Sequence, residues 1–444
     1  MKKKKTKRKL NIQKLFCFIS FIFIIVCCLW YGGRAIYFYL ESKKAHENKN
    51  KVLSQTIIEE NYKKNKNFKE LNNDYYFYND ANNNYLTYSN LNFRIIKVNK
   101  NNEITIISDT PITSLSFGKN KTINNSYITK WLNKEKDKTT GILQDNLNNI
   151  TKYLVKSKIC SDNITNIKKT TCKKIIKNKY ISLLSITDYI NTGGKKSFIN
   201  NNYYTYLTNN KNDDIWYIND EGTLETNDGT DIYGVKFTLT LNPTTTIIEG
   251  NGTKDKPYKI EDKTKYFASY VKLDNDIWRV YEENENTLKL SLTNYLKRNN
   301  NVIQHNYSND NYIHNDTIYG SLAYYLNNTY LNNLSYKDII IEDKYYNYYY
   351  GKDNNYNYEE SISKTIDTKV ANLSIGNPFL NDLDNYFIAT SPNKNDSSIY
   401  TTKKDYTLEE TDVEEEKNII PCITIKKDNL KKGNGTISDP YRME

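Results

Sequence analysis

The sequence predicts an α+β protein: one N-terminal membrane-spanning helix followed by two tandem α+β domains. Three observations carry this. Leu15 to Gly33 is a nineteen-residue run without a charge, about the length a helix needs to cross a bilayer. "GNGTKDKPYK" at 250–259 returns as "GNGTISDPYR" at 433–442. Between those endings, stretches with period two alternate with stretches at helical spacing.

Lys2, Lys3, Lys4, Lys5, Lys7, Arg8, Lys9 and Lys14 precede the apolar run with no acid among them, and Arg34 follows it. Lysines ahead of a span hold that end in the cytoplasm. The expected topology is therefore a cytoplasmic tail over 1–14, a signal anchor over 15–33 and everything from 34 onward outside the cell. Trp30 and Tyr31 stand where an interfacial aromatic belt would. A cleaved signal peptide competes with this, but its apolar core is shorter and ends at a small-x-small site, which Trp30-Tyr31-Gly32-Gly33 does not provide. The formal net charge is +11, and the N-terminal block supplies eight of it. The bulk of the chain has no phosphate-seeking bias, so no nucleic-acid partner is expected.

The duplication rests on landmarks that recur in order. "NFRIIKVNKNNEITIIS" from Asn92 parallels "IWRVYEENENTLKLSL" from Ile277, and "ITKWLN" ending at Asn133 parallels "LAYYLN" ending at Asn327. "SLLSITDYIN" from Ser182 parallels "NLSIGNPFLN" from Asn372, and "IWYINDEGTLETND" from Ile215 parallels "IYTTKKDYTLEETD" from Ile399. The offsets for Phe93/Trp278, Trp131/Tyr325, Ser185/Ser374, Trp216/Tyr400 and Gly250/Gly433 are 185, 194, 189, 184 and 183. They drift by a few loop residues and come back. The repeat is about 180 residues, too long for a solenoid unit. It divides the chain into a stalk over 34–73 and domains over 74–261 and 263–444.

Within each repeat, "FRIIKVNKNNEITIIS" reads as a β-hairpin, while "SYITKWLN" and "GSLAYYLNNTYLNNL" read as capped helices. "VKFTLTL" and "PCITI" are late strands. Gly250, Gly252 and Thr253, with Gly433, Gly435 and Thr436, supply turn geometry. Pro257-Tyr258 and Pro440-Tyr441 then fix an extended exit. A phosphate loop would need a helix after the glycines, which the prolines deny. Large rings needed at the same place twice are explained by core filling. Only six arginines occur, yet Arg94 and Arg279 share a repeat position. A planar, always-charged fork is expected there to clamp a carboxylate or loop carbonyls.

Trp278-Arg279-Val280, Trp131-Leu132-Asn133, Leu183-Leu184-Ser185, Gly234-Val235 and Gly252-Thr253 through Pro257-Tyr258 together resemble a bacterial surface-domain family of unknown function. That family occurs singly or in tandem behind a signal or anchor segment. Its pattern is in turn similar to the C-type-lectin-like fold shared with formylglycine-generating enzymes. The resemblance implies two C-type-lectin-like domains. Lys236-Phe237 and Ile420-Pro421 stand where Arg-Pro is usual, which puts any site built on that arginine in doubt.

Chemistry is sparse. His46 lies near the membrane and His305 and His314 in the second copy, so no shared site can use a histidine base or ligand. Glu225/Glu409 and Asp228/Asp412 recur after a hairpin without a convergent partner. Cys17, Cys27 and Cys28 lie in the span, and Cys422 has no evident partner. Cys160 and Cys172 flank a polar insertion; a disulfide there would stabilise by about 3 kcal/mol, and two unpaired thiols on a loop is the competing reading. A formylglycine-type oxidase needs a pair of reactive cysteines, which the second copy lacks. Catalytic, cofactor and metal residues are therefore expected to be none. The tyrosine-rich "DKYYNYYYGKDNNYNYEE" is the candidate binding loop, with Tyr345, Tyr346, Tyr348, Tyr349, Tyr350, Tyr356 and Tyr358 as rigid amphipathic contacts. The expectation is a membrane-anchored surface protein whose two domains bind an extracellular glycan, cell-wall or protein ligand without catalysis. A formylglycine-type enzyme and a structural spacer are the alternatives.

Overall fold

A computed structural model describes residues 12–133, 143–167, 172–200, 202–262, 265–309, 311–351, 361–381, 383–392 and 397–443, with side chains from residue 20 onward. The basic block ahead of residue 12 lies outside the described residues.

The first element is one continuous helix, Ile12–Glu47. Its described part, Ser20–Glu47, is long and apolar enough to cross a membrane, and none of its apolar window is buried against the rest of the chain. The helix runs on past the expected end at Gly33. The Arg34 guanidinium lies 5.2 Å from the Trp30 ring and 5.6 Å from Phe38, one helical turn to either side.

The segment after this helix is docked on the first domain, contrary to the stalk expected over 34–73. Backbone bonds run from Asn50 N to Ile247 O (2.7 Å), from Leu53 N to Thr245 O (2.9 Å) and from Ile247 N to Lys51 O (2.9 Å). The helix Leu53–Asn61 buries Leu53 and Ile57 completely, and Phe68–Leu71 pairs with Asp74–Phe77 as an edge hairpin. Leu53 and Ile57 are four residues apart and share one face. That narrow stripe suffices to dock a segment whose overall composition is polar.

The rest of the chain is dominated by two sheets. In the first, Leu91–Val98, Ile104–Ser108 and Thr238–Leu241 are consecutive, with Tyr85–Tyr88 beside Leu91–Val98 and Ile181–Ser182 beside Thr238–Leu241. In the second, Asp276–Glu283, Thr287–Leu292 and Pro421–Lys426 are consecutive, with Tyr270–Leu273 and Val370–Asn372 in the corresponding places. The registers correspond residue by residue. Tyr85 faces Arg94 as Tyr270 faces Arg279. The register shifts between Ile95 and Lys97 in one hairpin and between Val280 and Glu282 in the other.

The two endings fold alike. Tyr258 pairs in parallel with Leu86, and Tyr441 with Val271. Gly250 and Gly433 hold φ of +99° and +92°, and a side chain at either would run into the carbonyl oxygen of Pro257 or Pro440. Asn251 Oδ1 accepts from the Thr253 amide and hydroxyl, as Asn434 Oδ1 does from Thr436. Asn133 and Asn327 do one job twice. Each side-chain amide donates to the backbone of the edge strand and accepts from it, at Ile181 and at Val370, with distances of 2.8–3.0 Å.

The halves do not stand apart. Trp131 Nε1 donates to Gly376 O (3.1 Å), Phe379 N to Ile112 O (2.7 Å) and Ser114 Oγ to Tyr406 O (2.6 Å). Tyr350 OH accepts from the Ser116 amide (3.1 Å). Buried apolar residues of both halves form a single cluster.

Candidate binding groove

The repeated rings are buried to different depths. Phe93 and Trp278 are fully buried, Trp131 and Trp216 nearly so, and Tyr325 and Tyr400 are half-buried. Trp131 fills the seam between the halves rather than the core of one. Arg94 is buried: its Nε and Nη2 donate to Asn84 Oδ1 (2.9 and 2.6 Å), Nη2 reaches Ala81 O (2.5 Å), and the fork stacks 3.9 Å from the Tyr85 ring. Its nearest carboxylate, Asp109, is 3.8 Å from Nη1. Arg279 is half-buried and donates to Ala268 O (3.1 Å) and Leu380 O (2.9 Å). Lys236, at the position where Arg-Pro was expected, is buried and donates to Ile199 O (2.9 Å); burial pulls its ammonium down to about 8.

The candidate binding loop needs correction. Tyr345, Tyr348 and Tyr349 lie on the strand Asp343–Tyr349, and these three rings and that of Tyr350 are buried, with Tyr346 half-buried. The reason is the pairing of this strand with Ile362–Thr368 and Thr390–Ser391, which turns its rings into the core. Tyr356 and Tyr358 lie outside the described residues.

Cys160 and Cys172 are joined in a disulfide. With Asp162 they form a cluster compact enough to hold a metal ion. The sulfurs are committed to each other, however, and the Asp162 carboxylate accepts from the Lys173 and Lys174 amides, both at 2.6 Å.

Beside this disulfide the first half opens a groove of about 440 Å³, lined among others by Lys97, Thr105, Ile159, Ser182, Asp188 and Thr240. At one end Lys97 Nζ contacts Asp188 Oδ1 (2.6 Å), which also accepts from Tyr76 OH (2.9 Å), while Ser185 Oγ donates to Oδ2 (3.0 Å). Burial raises the Asp188 carboxyl, but Lys97, Tyr76 and Ser185 outweigh it and hold the group below its ordinary value. The pair is a fixed ionic post, unsuited to trading protons near neutrality. Ser157 Oγ lies 3.2 Å from Thr240 Oγ1 on the floor. Among the described residues Ser182 Oγ is buried without a hydrogen-bond partner.

The second half has the same floor, and it is covered. Val155 faces Thr240 as Ile341 faces Thr424, and two residues further on Ser157 and Asp343 bond those threonines, Asp343 Oδ2 accepting from Thr424 at 3.0 Å. Two more residues along, Ile159 stands where Tyr345 does. The Tyr345 hydroxyl lies 2.9 Å from Thr424 Oγ1, and Lys289 Nζ lies 4.7 Å from its ring. Thr105 faces Thr240 as Lys289 faces Thr424. The disulfide insertion and the tyrosine-rich strand are thus one element in two versions. Where the second half puts a long cation and a ring, the first has Thr105 and Ile159, and the space they leave is the groove.

The histidines of the second half and the recurring carboxylates lie elsewhere. His314 is buried, its Nε2 without a partner among the described residues, and burial pulls it down to about 4. His305 stacks on Tyr325 at 5.2 Å. Glu225 accepts from Tyr217 OH (2.6 Å) within its own hairpin and Asp228 from Thr230 (2.5 Å) just after it; Asp412 accepts from the Glu414 amide (2.9 Å). Sequence reasoning missed Lys97, Asp188, Ser182 and Ile159. Aligning Ser157 with Asp343 through the flanking Leu154-Val155 and Ile340-Ile341 pairs would have found the last.

Comparison with known protein families, with curated proteins and with solved structures finds no match to this chain.

Proposed function

We propose that the protein is a single-pass, membrane-anchored surface protein that displays two C-type-lectin-like domains and binds an extracellular ligand without catalysis. The groove carries this reading: two copies of one sheet share a floor, and the first leaves it open while the second fills it with Tyr345. A site filled in one copy and open in the other is what divergence from scaffold to binder would leave. The continuous N-terminal helix and the lysines before it support an anchor with residues 1–14 inside and the domains outside. The ligand is a glycan, a cell-wall fragment or a protein, met at the first domain. Tyr345, Tyr348, Tyr349 and Tyr350 serve mainly as packing.

Topology is tested by impermeant thiol labelling of intact cells carrying Ile437→Cys, an exposed position, against cells carrying Thr6→Cys. Labelling of the second and not the first would reverse the orientation. Binding is tested with the full-length protein in nanodiscs on arrays of glycans, cell-wall fragments and surface proteins, beside the groove-filling Ile159→Trp. No signal on any probe would leave the spacer reading ahead, and equal binding by both proteins would place the site outside the groove.

A further inference from the structure

Resting on that reading, we propose that the groove receives a tyrosine side chain presented by an extended partner polypeptide, in the pose Tyr345 adopts in the second half. The template is internal. In the second half a phenol lies on the floor with its hydroxyl on Thr424 and its face under Lys289. In the first half the floor threonine is kept as Thr240 and the covering ring is withdrawn, with Ile159 in its place.

Several polar groups of the groove are already committed to one another. Lys97, Asp188 and Tyr76 satisfy one another. Glu103 is taken by Asn99 (2.6 Å) and Lys158 (2.7 Å), and Thr238 Oγ1 donates to Leu183 O (3.2 Å). Among the described residues the buried Ser182 and Thr187 hydroxyls have no hydrogen-bond partner, and in the second half the place of Ser182 beside the sheet belongs to Ala371, which faces Cys422 as Ser182 faces Thr238. A ring with one hydroxyl on Thr240, resting on Ile159, reproduces the pose that Tyr345 takes on Thr424.

The experiment uses the full-length protein in detergent micelles with two extended probes, acetyl-Thr-Tyr-Thr-amide and acetyl-Thr-Phe-Thr-amide, and N-acetylglucosamine as the sugar probe, followed by saturation-transfer NMR and calorimetry. The tyrosine peptide should bind saturably at one per chain and the phenylalanine peptide about tenfold more weakly, the effect of one lost hydrogen bond. Ile159→Tyr should abolish binding with its melting temperature kept. Thr240→Val, which removes the hydroxyl that the phenol would meet, should erase the tyrosine preference. Saturable binding of the sugar alone, lost in Ile159→Tyr, would overturn the tyrosine assignment and leave the binding groove standing. Tyrosine-peptide binding that survives Ile159→Tyr in a folded protein, or no binding of any probe, would overturn the assignment too. Only if the arrays also show no binding does the display reading fall with it.

Discussion

Replacing the repeated arginines by lysine should cost the two halves unequal amounts, although the two positions are equivalent in sequence. Arg94 is buried and spends its fork on Asn84 Oδ1 twice (2.9 and 2.6 Å) and on Ala81 O (2.5 Å). It is also sandwiched between Tyr85 at 3.9 Å and Phe198 at 4.7 Å. A lysine ammonium reaches one of these acceptors at a time. With charge-assisted bonds worth about 1.5–3 kcal/mol, and Asn84 itself fixed to Ile95 O at 2.8 Å, Arg94→Lys should lose about 3 kcal/mol. At the second position Ser269 stands where Asn84 does, and Arg279 is half-buried. Water can take over part of what it donates, so Arg279→Lys should lose about 1 kcal/mol. At about 2 °C per kcal/mol for a body of this size, the expected shifts are about 6 °C and about 2 °C. Chemical unfolding of the full-length protein in micelles, with the slope unchanged, is the confirming assay. Equal losses at the two sites, or none at Arg94, would refute the reasoning.

Acid should weaken the fold through His314. Its folded value of about 4 lies below the ordinary 6.5, so the neutral ring's contribution is present above pH 6.5 and is lost as pH falls toward 4, reaching about 3 kcal/mol; melting curves from pH 7 to 4 should lose that limb in His314→Gln. Asn133→Ala and Asn327→Ala should each cost about 2 kcal/mol, since each strips two bonds from an edge strand and leaves its backbone unpaired; a double mutant should be additive within about 0.5 kcal/mol because the sites share no partner. Residues 265–444 expressed alone should associate or melt without cooperativity, because Tyr350, Phe379 and Tyr406 then lose the partners Ser116, Ile112 and Ser114. A cooperative monomeric melt of that fragment, read by calorimetry and light scattering, would show that the seam is dispensable.

The sequence alone determined the features that are local or written twice. An uncharged run of nineteen residues has one way to bury its backbone in a bilayer. A Gly-Asn-Gly-Thr turn needs positive φ wherever it occurs, and Asn133 and Asn327 hold equivalent edge strands because equivalent neighbours surround them. Tertiary structure decided what depends on segments far apart in the chain. Leu53 and Ile57 look like a polar stalk until Thr245 and Ile247 arrive beside them. Tyr345 and Tyr348 look like loop residues until Ile362–Thr368 pairs with their strand. The groove was least legible of all. It is an absence, made by Thr105 and Ile159 falling short of Lys289 and Tyr345, and a void is seen only when every wall around it is in place.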